Sequence, residues 1–314
     1  MKALVLSGGS IKGSFQAGAI VELLNAGYAP DSIYGVSVGS LNGAFITDRA
    51  SRYQQNGKID WTRIAIELES LWKNNINSFD KIGEKNSDIG VLWQMIWSNF
   101  NGLIDTSRLH NLIRSLIKEN NLRASPVKFT VGSVNLANGE FVQADSGYPN
   151  ILDYTIASTA IPIMMPISKI NNQPLVDGGV RNVAPLKYAI DDGADSIICI
   201  ACQPKQLQSI TFEGGNLLQY SDRLMDIVIN GIVTNDLEWA DYINTYCPKD
   251  GTKVQEGPLK GCRYIPIGII RPKTEPQINI ENFTAADIAQ MIDLGHYAAK
   301  EALKTDTLRK ILAG

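Results

Sequence analysis

Three short stretches carry residue types and spacings that can do chemistry. The first is Gly35-Val36-Ser37-Val38-Gly39, a serine with glycines two positions before and after it. It follows the apolar run Ser32 to Val36 and precedes the small-residue stretch SLNGAFITDRA. In a G-x-S-x-G elbow, the glycines Gly35 and Gly39 let strand and helix pass closely, and the serine is held at the helix N-terminus. Free N–H groups and the helix dipole there favour a developing oxyanion, and Val38 would offer the first of those N–H groups. An ordinary strand-to-helix turn uses the same residues, so the stretch alone leaves both readings open.

The second stretch is Gly8-Gly9-Ser10-Ile11-Lys12-Gly13, again between an apolar strand and a helix. Its N–H groups can cradle negative charge. A phosphate loop would end Gly-Lys-Ser/Thr, whereas here the order is Lys12-Gly13-Ser14. A dinucleotide loop needs glycine where Ser10 stands and an acid after the second strand, where this chain has the serine. What remains is a second oxyanion-binding loop, or a plain tight turn.

The third is Asp177-Gly178-Gly179. A serine nucleophile needs a base, and the chain has only two histidines, His110 and His296, neither in a catalytic-looking loop. Asp177 closes a short strand, and the two glycines after it leave room beside the carboxylate. Burial would raise its pKa and improve it as a proton acceptor. Asp-Gly-Gly is also a good turn.

The elements that must position these residues read as strand, glycine loop, helix, strand, sharp turn, helix, which is the start of a parallel α/β sheet. Lys2 to Ser7 and Ser196 to Ala201 read as buried strands, and the helix beginning at Phe15 should end at Gly27. Lys128 to Leu136 and Glu140 to Gln143 alternate as a hairpin around Asn138-Gly139. Pro174 to Val176 and Arg263 to Ile270 read as further strands. Residues 217–246 and 284–312 read as helical.

With 314 residues, of which 44% are hydrophobic and 19% charged, the chain can bury a large core as one α/β domain or two small ones. A net charge of −3 implies no basic face, so nucleic acid is not an expected partner. The opening MKALVLSGGS lacks the pattern of a secretory signal, and no apolar run is long enough to span a bilayer. A cytoplasmic protein that can visit a membrane surface is expected. Cys199 and Cys202 form a C-x-x-C inside the strand-like SIICIAC, where an offset of three puts them on opposite faces. Cys247 and Cys262 are the other two cysteines. All four read as small packing residues, with no metal or redox site.

Taken in order, the glycine loop, the G-x-S-x-G elbow and the Asp-Gly-Gly corner resemble the patatin-like phospholipases. The stretch ASTAIPIMMP before Asp177, Asn182 and Pro185 after it, and LGHYAAKEAL near the end are also similar to that family. The resemblance is strong over about residues 1–200 and thin over 205–280. It implies a three-layer α/β/α patatin-like fold with a mainly parallel sheet. Residues 1–205 would form the catalytic part, and 206–314 would complete the same domain. It implies a Ser–Asp dyad without a catalytic histidine, Ser37 as nucleophile, Asp177 as base, an oxyanion hole from Gly8 to Gly13 with Val38, and no cofactor. Lys12 matches the family's basic position, where it would hold the loop or attract an anionic headgroup. Ser10 departs from the family's third glycine; a Cβ fits there if φ is negative, and otherwise narrows the hole.

The expected activity is hydrolysis of a phospholipid or other acyl lipid. An acyltransferase on the same dyad and a catalytically impaired lipid-binding protein are the alternatives. The uncharged stretch IGVLWQMIWSNFNGLI carries Trp93, Met95, Trp97 and Phe100, and reads either as an acyl pocket or interface or as a core helix. Oligomeric state is not legible.

Overall fold

The computed structural model describes residues 1–85, 102–209, 217–274, 278 and 282–313, without the side chains of 217–219 and 222. The first half of the chain lays down β1 (Lys2–Leu6), helix α1 (Gly13–Asn25), β2 (Ser32–Val36) and helix α2 (Val38–Arg52). Two small ladders follow: β3 (Gln54–Gln55) with β4 (Lys58–Ile59), and β5 (Glu84–Lys85) with β6 (Ile104–Asp105). β7 (Lys128–Asn135), β8 (Phe141–Asp145), β9 (Ser168–Ile170), β10 (Gln173–Asp177), β11 (Ser196–Ile200) and β12 (Ile267–Ile270) complete the strands among the described residues.

Eight strands form one mixed sheet in the order β12-β11-β1-β2-β7-β10-β9, with β8 on β7. The run from β12 to β7 is parallel throughout, while β8, β9 and β10 join antiparallel. Strand alternation sorts the core onto two faces. Leu4, Leu6, Ile198 and Ile200 pack with α1 and α2 on one face, and Ala3, Val5, Ile197 and Cys199 pack on the other with Val233 and Leu237 of the helix Leu217–Tyr246. Cys199 and Cys202 accordingly lie in different clusters, both buried and in no disulfide, and burial pushes both thiols up to about 12.

The three-residue strand β9 is too short for an alternation that would mark it in the sequence. The late strand is shorter than expected from Arg263 to Ile270. The Ile265 N–H goes to the side chain of Asn244 at 3.0 Å, and Pro266 has no N–H to offer, so ladder pairing begins at Ile267. The closing segment is two helices, Ala285–Ala302 and Asp306–Ala313. The first crosses α1 closely at Gly18 and Gly295, where a Cβ on either would strike the other helix's backbone at about 2 Å. No helix among the described residues is long and apolar enough to cross a membrane.

Candidate active site

β2 is buried along its whole length, and α2 starts within one residue of its end. Ser37 makes that reversal at φ 56°, ψ −128°, a region a residue with a side chain occupies only when its surroundings force it. Three contacts do so. The Ser37 N–H donates to Ser158 Oγ at 2.8 Å, and Ser158 Oγ in turn donates to the Gly132 carbonyl at 2.6 Å. Ser40 Oγ donates to the Ser37 carbonyl at 2.6 Å. Gly39 lies so close to β1 that a Cβ on it would stand 2.2 Å from the Leu6 carbonyl oxygen. Gly35 packs against the Gly39 and Ser40 backbone in the same way.

Topology brings Asp177 to this point. β8 occupies one edge of β7 from Thr130 to Val134, so β2 and β10 must share the other edge. On it β2 runs parallel and ends with Val36 opposite Gly132, while β10 runs antiparallel and ends with Asp177 opposite Ser133. The two strands therefore run head-on and deliver Ser37 and Asp177 to one place from positions 140 apart in the chain. Gly178 packs against the Gly132 backbone, and the Gly179 N–H donates to Asp177 Oδ1 at 2.7 Å. Complete burial pushes the carboxyl up to about 6, opposed by hydrogen bonding from the Ser37 hydroxyl and the Gly179 N–H.

The glycine loop lies against the elbow. A Cβ on Gly8 would stand 3.2 Å from Ser37 Cβ, and one on Gly13 only 2.1 Å from Val38 Cγ2. Not all of its N–H groups are available to a ligand. Those of Gly8, Lys12 and Gly13 are spent on the carbonyls of Val183, Gly9 and Ser10. Those of Gly9, Ser10 and Ile11 have no backbone acceptor among the described residues, and the N–H groups of Val38 and Gly39 open a helix. Ser10 sits at φ 52°, so the left-handed conformation that suits glycine is here imposed on serine.

A buried polar network that the motifs do not reveal ties loop and elbow together. Trp72 Nε1 donates to Asn42 Oδ1 at 2.9 Å, and Asn42 Nδ2 donates to the Gly13 carbonyl and to Gln16 Oε1, both at 3.0 Å. Gln16 Nε2 reaches the carbonyls of Ser7 and Ile200 at 3.2 Å. Asn42 and Gln16 are polar residues that the three motifs do not include and that only their burial marks out, whereas Ser158 lies in the family-like stretch ASTAIPIMMP without any role there being legible.

Beside Ser37 and Ser10 opens a narrow cavity of about 50 Å³, walled by Ile11, Val38, Leu41, Trp72, Ile161 and Met165. Of these apolar walls, only Ile11 and Val38 belong to the loop and elbow motifs. Trp93, Met95, Trp97 and Phe100, read either as an acyl pocket or interface or as a core helix, lie outside the described residues.

The remaining candidates sit elsewhere. His110 shares a hydrogen bond with Thr106 Oγ1 at 3.1 Å, and burial lowers its pKa. His296 is held by Glu22 at 2.9 Å between α1 and the helix Ala285–Ala302. Lys12 points its ammonium at Asp226, 2.6 Å away. No group of three metal-ligating side chains is found among the described residues.

Fold and site together define an α/β protein with a strained serine elbow facing a buried carboxylate. The family model of the patatin-like phospholipases matches residues 4–190, and the chain belongs to that family. Among solved structures, VipD from Legionella pneumophila is similar at 13% identity with a TM-score of 0.45. The match covers 96% of this chain and 66% of that one, so this chain spans just under two thirds of its length.

Proposed function

We propose that the protein is a lipid acyl hydrolase working through a Ser37–Asp177 dyad. The observation that carries this reading is the pair itself: a serine forced into a strained elbow, beside a fully buried carboxylate with a pKa of about 6. A base with that pKa is ionised at neutral pH yet basic enough to take a proton in the transition state. Membership of a phospholipase family supports an acyl lipid as substrate.

In this mechanism Ser37 Oγ attacks the ester carbonyl carbon while its proton passes to the Asp177 carboxylate. The carbonyl oxygen becomes an oxyanion and is met by the unspent N–H groups of Gly9, Ser10, Ile11 and Val38. Each such donor is worth about 3 kcal/mol where it has been removed elsewhere. Collapse of the intermediate breaks the bond to the alcohol, which leaves with the proton from Asp177. Water then attacks the acyl-serine, gives its proton to Asp177, and the fatty acid departs as Ser37 recovers that proton. The Gly179 N–H on Oδ1 holds the carboxylate in place while it exchanges the proton. The narrow apolar cavity would take the first carbons of the acyl chain, since about 50 Å³ is far below the roughly 300 Å³ of an ordinary small-molecule pocket.

The test is fatty acid release from phospholipid vesicles and from a soluble p-nitrophenyl ester by the wild-type protein, Ser37→Ala and Asp177→Asn. Wild-type activity lost in both variants is the expected result. Activity that survives in either variant overturns the dyad, and an acyl ester formed when an alcohol is supplied would make the protein a transferase.

A further inference from the structure

We infer that Asp226, outside the residues matched by the family model, is a positioning residue for the glycine loop and acts through Lys12. The inference deepens the dyad reading, since the loop's N–H groups matter to catalysis only if an oxyanion forms there.

The loop holds a conformation it would not choose alone. Ser10 is left-handed at φ 52°, and such a residue persists only where the surroundings over-determine it. The entrance of the loop is well fixed. The Gly8 N–H donates to Val183 O at 3.1 Å, Gln203 Nε2 donates to Gly8 O at 3.3 Å, and Gly9 is pressed against Cys202. At the exit, Asn42 Nδ2 donates to the Gly13 carbonyl at 3.0 Å, and the tether that reaches in from beyond the catalytic segment is Lys12 Nζ to Asp226 Oδ1, 2.6 Å long. The Lys12 side chain is 6% exposed and that of Asp226 22%. An ammonium so far out of water needs its partner, because removing one member of a buried pair leaves the other uncompensated. Lys12 follows Ser10 and Ile11 directly, and its own N–H closes the turn onto Gly9 at 3.0 Å. Movement of Lys12 therefore re-aims the three N–H groups that remain free.

Asp226 can serve as a fixed point because its helix is anchored. Ten residues further along the helix Leu217–Tyr246, Asp236 Oδ2 accepts the Ala184 N–H at 3.4 Å. Ala184 adjoins Val183, which receives Gly8. One helix thus grips both ends of the loop, directly at Lys12 and through residues 183–184 at Gly8. The basic position of the loop is here committed to a carboxylate of the same chain, not offered to a lipid headgroup.

The test uses the full chain with Asp226→Asn, Asp226→Glu, Lys12→Met and the double variant Lys12→Met/Asp226→Asn. Hydrogen exchange of the peptide spanning Gly8–Gly13 should quicken at least tenfold in Asp226→Asn, while peptides of β1 and β2 hold, and Asp226→Glu should restore most of the protection. On a soluble ester, kcat per fluorophosphonate-titrated site should fall between 10- and 100-fold in Asp226→Asn with KM within threefold. The double variant should be no worse than Lys12→Met. Unchanged exchange in Asp226→Asn overturns the inference whether or not the protein proves to be an esterase. So does an Asp226→Asn loss of equal size with and without Lys12. Failure of the dyad would show instead as ester hydrolysis that Ser37→Ala retains.

Discussion

The elbow and the glycine loop face each other, and each holds one serine in a left-handed conformation, Ser37 at φ 56° and Ser10 at φ 52°. They are stabilised differently. The elbow is set mainly by the first two strands and their helix: Gly35 on Gly39, Ser40 on the Ser37 carbonyl, and Gly39 on Leu6 of β1, with Ser158 reaching in from further along the chain. The loop, besides Asn42 on the Gly13 carbonyl, is set by residues far along the chain, at Val183, Cys202, Gln203 and Asp226. On the proposed mechanism, the part that would attack is held mainly by the start of the chain, and the part that would receive charge is aimed by pieces the rest of the fold brings in.

The difference can be broken first at the glycines. Gly39→Ala drives a Cβ into the backbone oxygen of Leu6, which cannot move without shifting β1. It should cost about 3 kcal/mol or more, read as a fall in urea midpoint. Gly13→Ala meets the side chains of Val38 and Trp72 rather than backbone, so a smaller loss of about 2 kcal/mol is expected. Equal losses at the two sites would argue that elbow and loop are equally stiff.

Asp177 gives a pH-dependent version of the same contrast. Its folded pKa of about 6 lies above the ordinary 3.8, so the fold favours the protonated form. The stability it contributes is present below about pH 4 and is lost as pH rises through about 6, by roughly 3 kcal/mol in all. Asp177→Asn removes that dependence. Its stability relative to the wild type should rise between pH 4 and pH 8, a trend that chemical denaturation at several pH values would reveal. No trend would mean that the carboxylate is better solvated than its burial implies.

The smallest effect is expected at Ser10. Ser10→Gly releases a left-handed residue and should stabilise the protein by up to about 1 kcal/mol, with Ser37 still labelled by a fluorophosphonate within threefold of the wild-type rate. A destabilised variant would show that the Ser10 side chain makes a contact worth more than the strain it carries.

The same contrasts explain what is legible in the sequence. The glycines of loop and elbow are legible because close backbone approach admits little else, and the strands they join are legible as buried apolar runs. The condition set on Ser10, a negative φ, is not met, and nothing local to it signals that. The meeting of Ser37 with Asp177 is not a matter of spacing. It follows from β10 joining β7 antiparallel at the end of β2, a pairing that short strands do not announce. Ser158, Asn42, Gln16 and Asp226 are ordinary polar residues in helices, whose importance comes from burial and from partners distant in sequence. Lys12 could be read as a loop holder or a headgroup contact, and only the position of Asp226 separates the two.

The most direct test of the central claim is the rate at which a fluorophosphonate labels Ser37 between pH 4 and pH 9, located by mass spectrometry, in the wild type and in Asp177→Asn. The account expects a single label at Ser37, with a wild-type rate that rises as pH passes about 6, and a rate in Asp177→Asn that is on the order of 10⁴-fold lower and flat across the range. Labelling of Asp177→Asn at the wild-type rate, or a label on any residue other than Ser37, would contradict it.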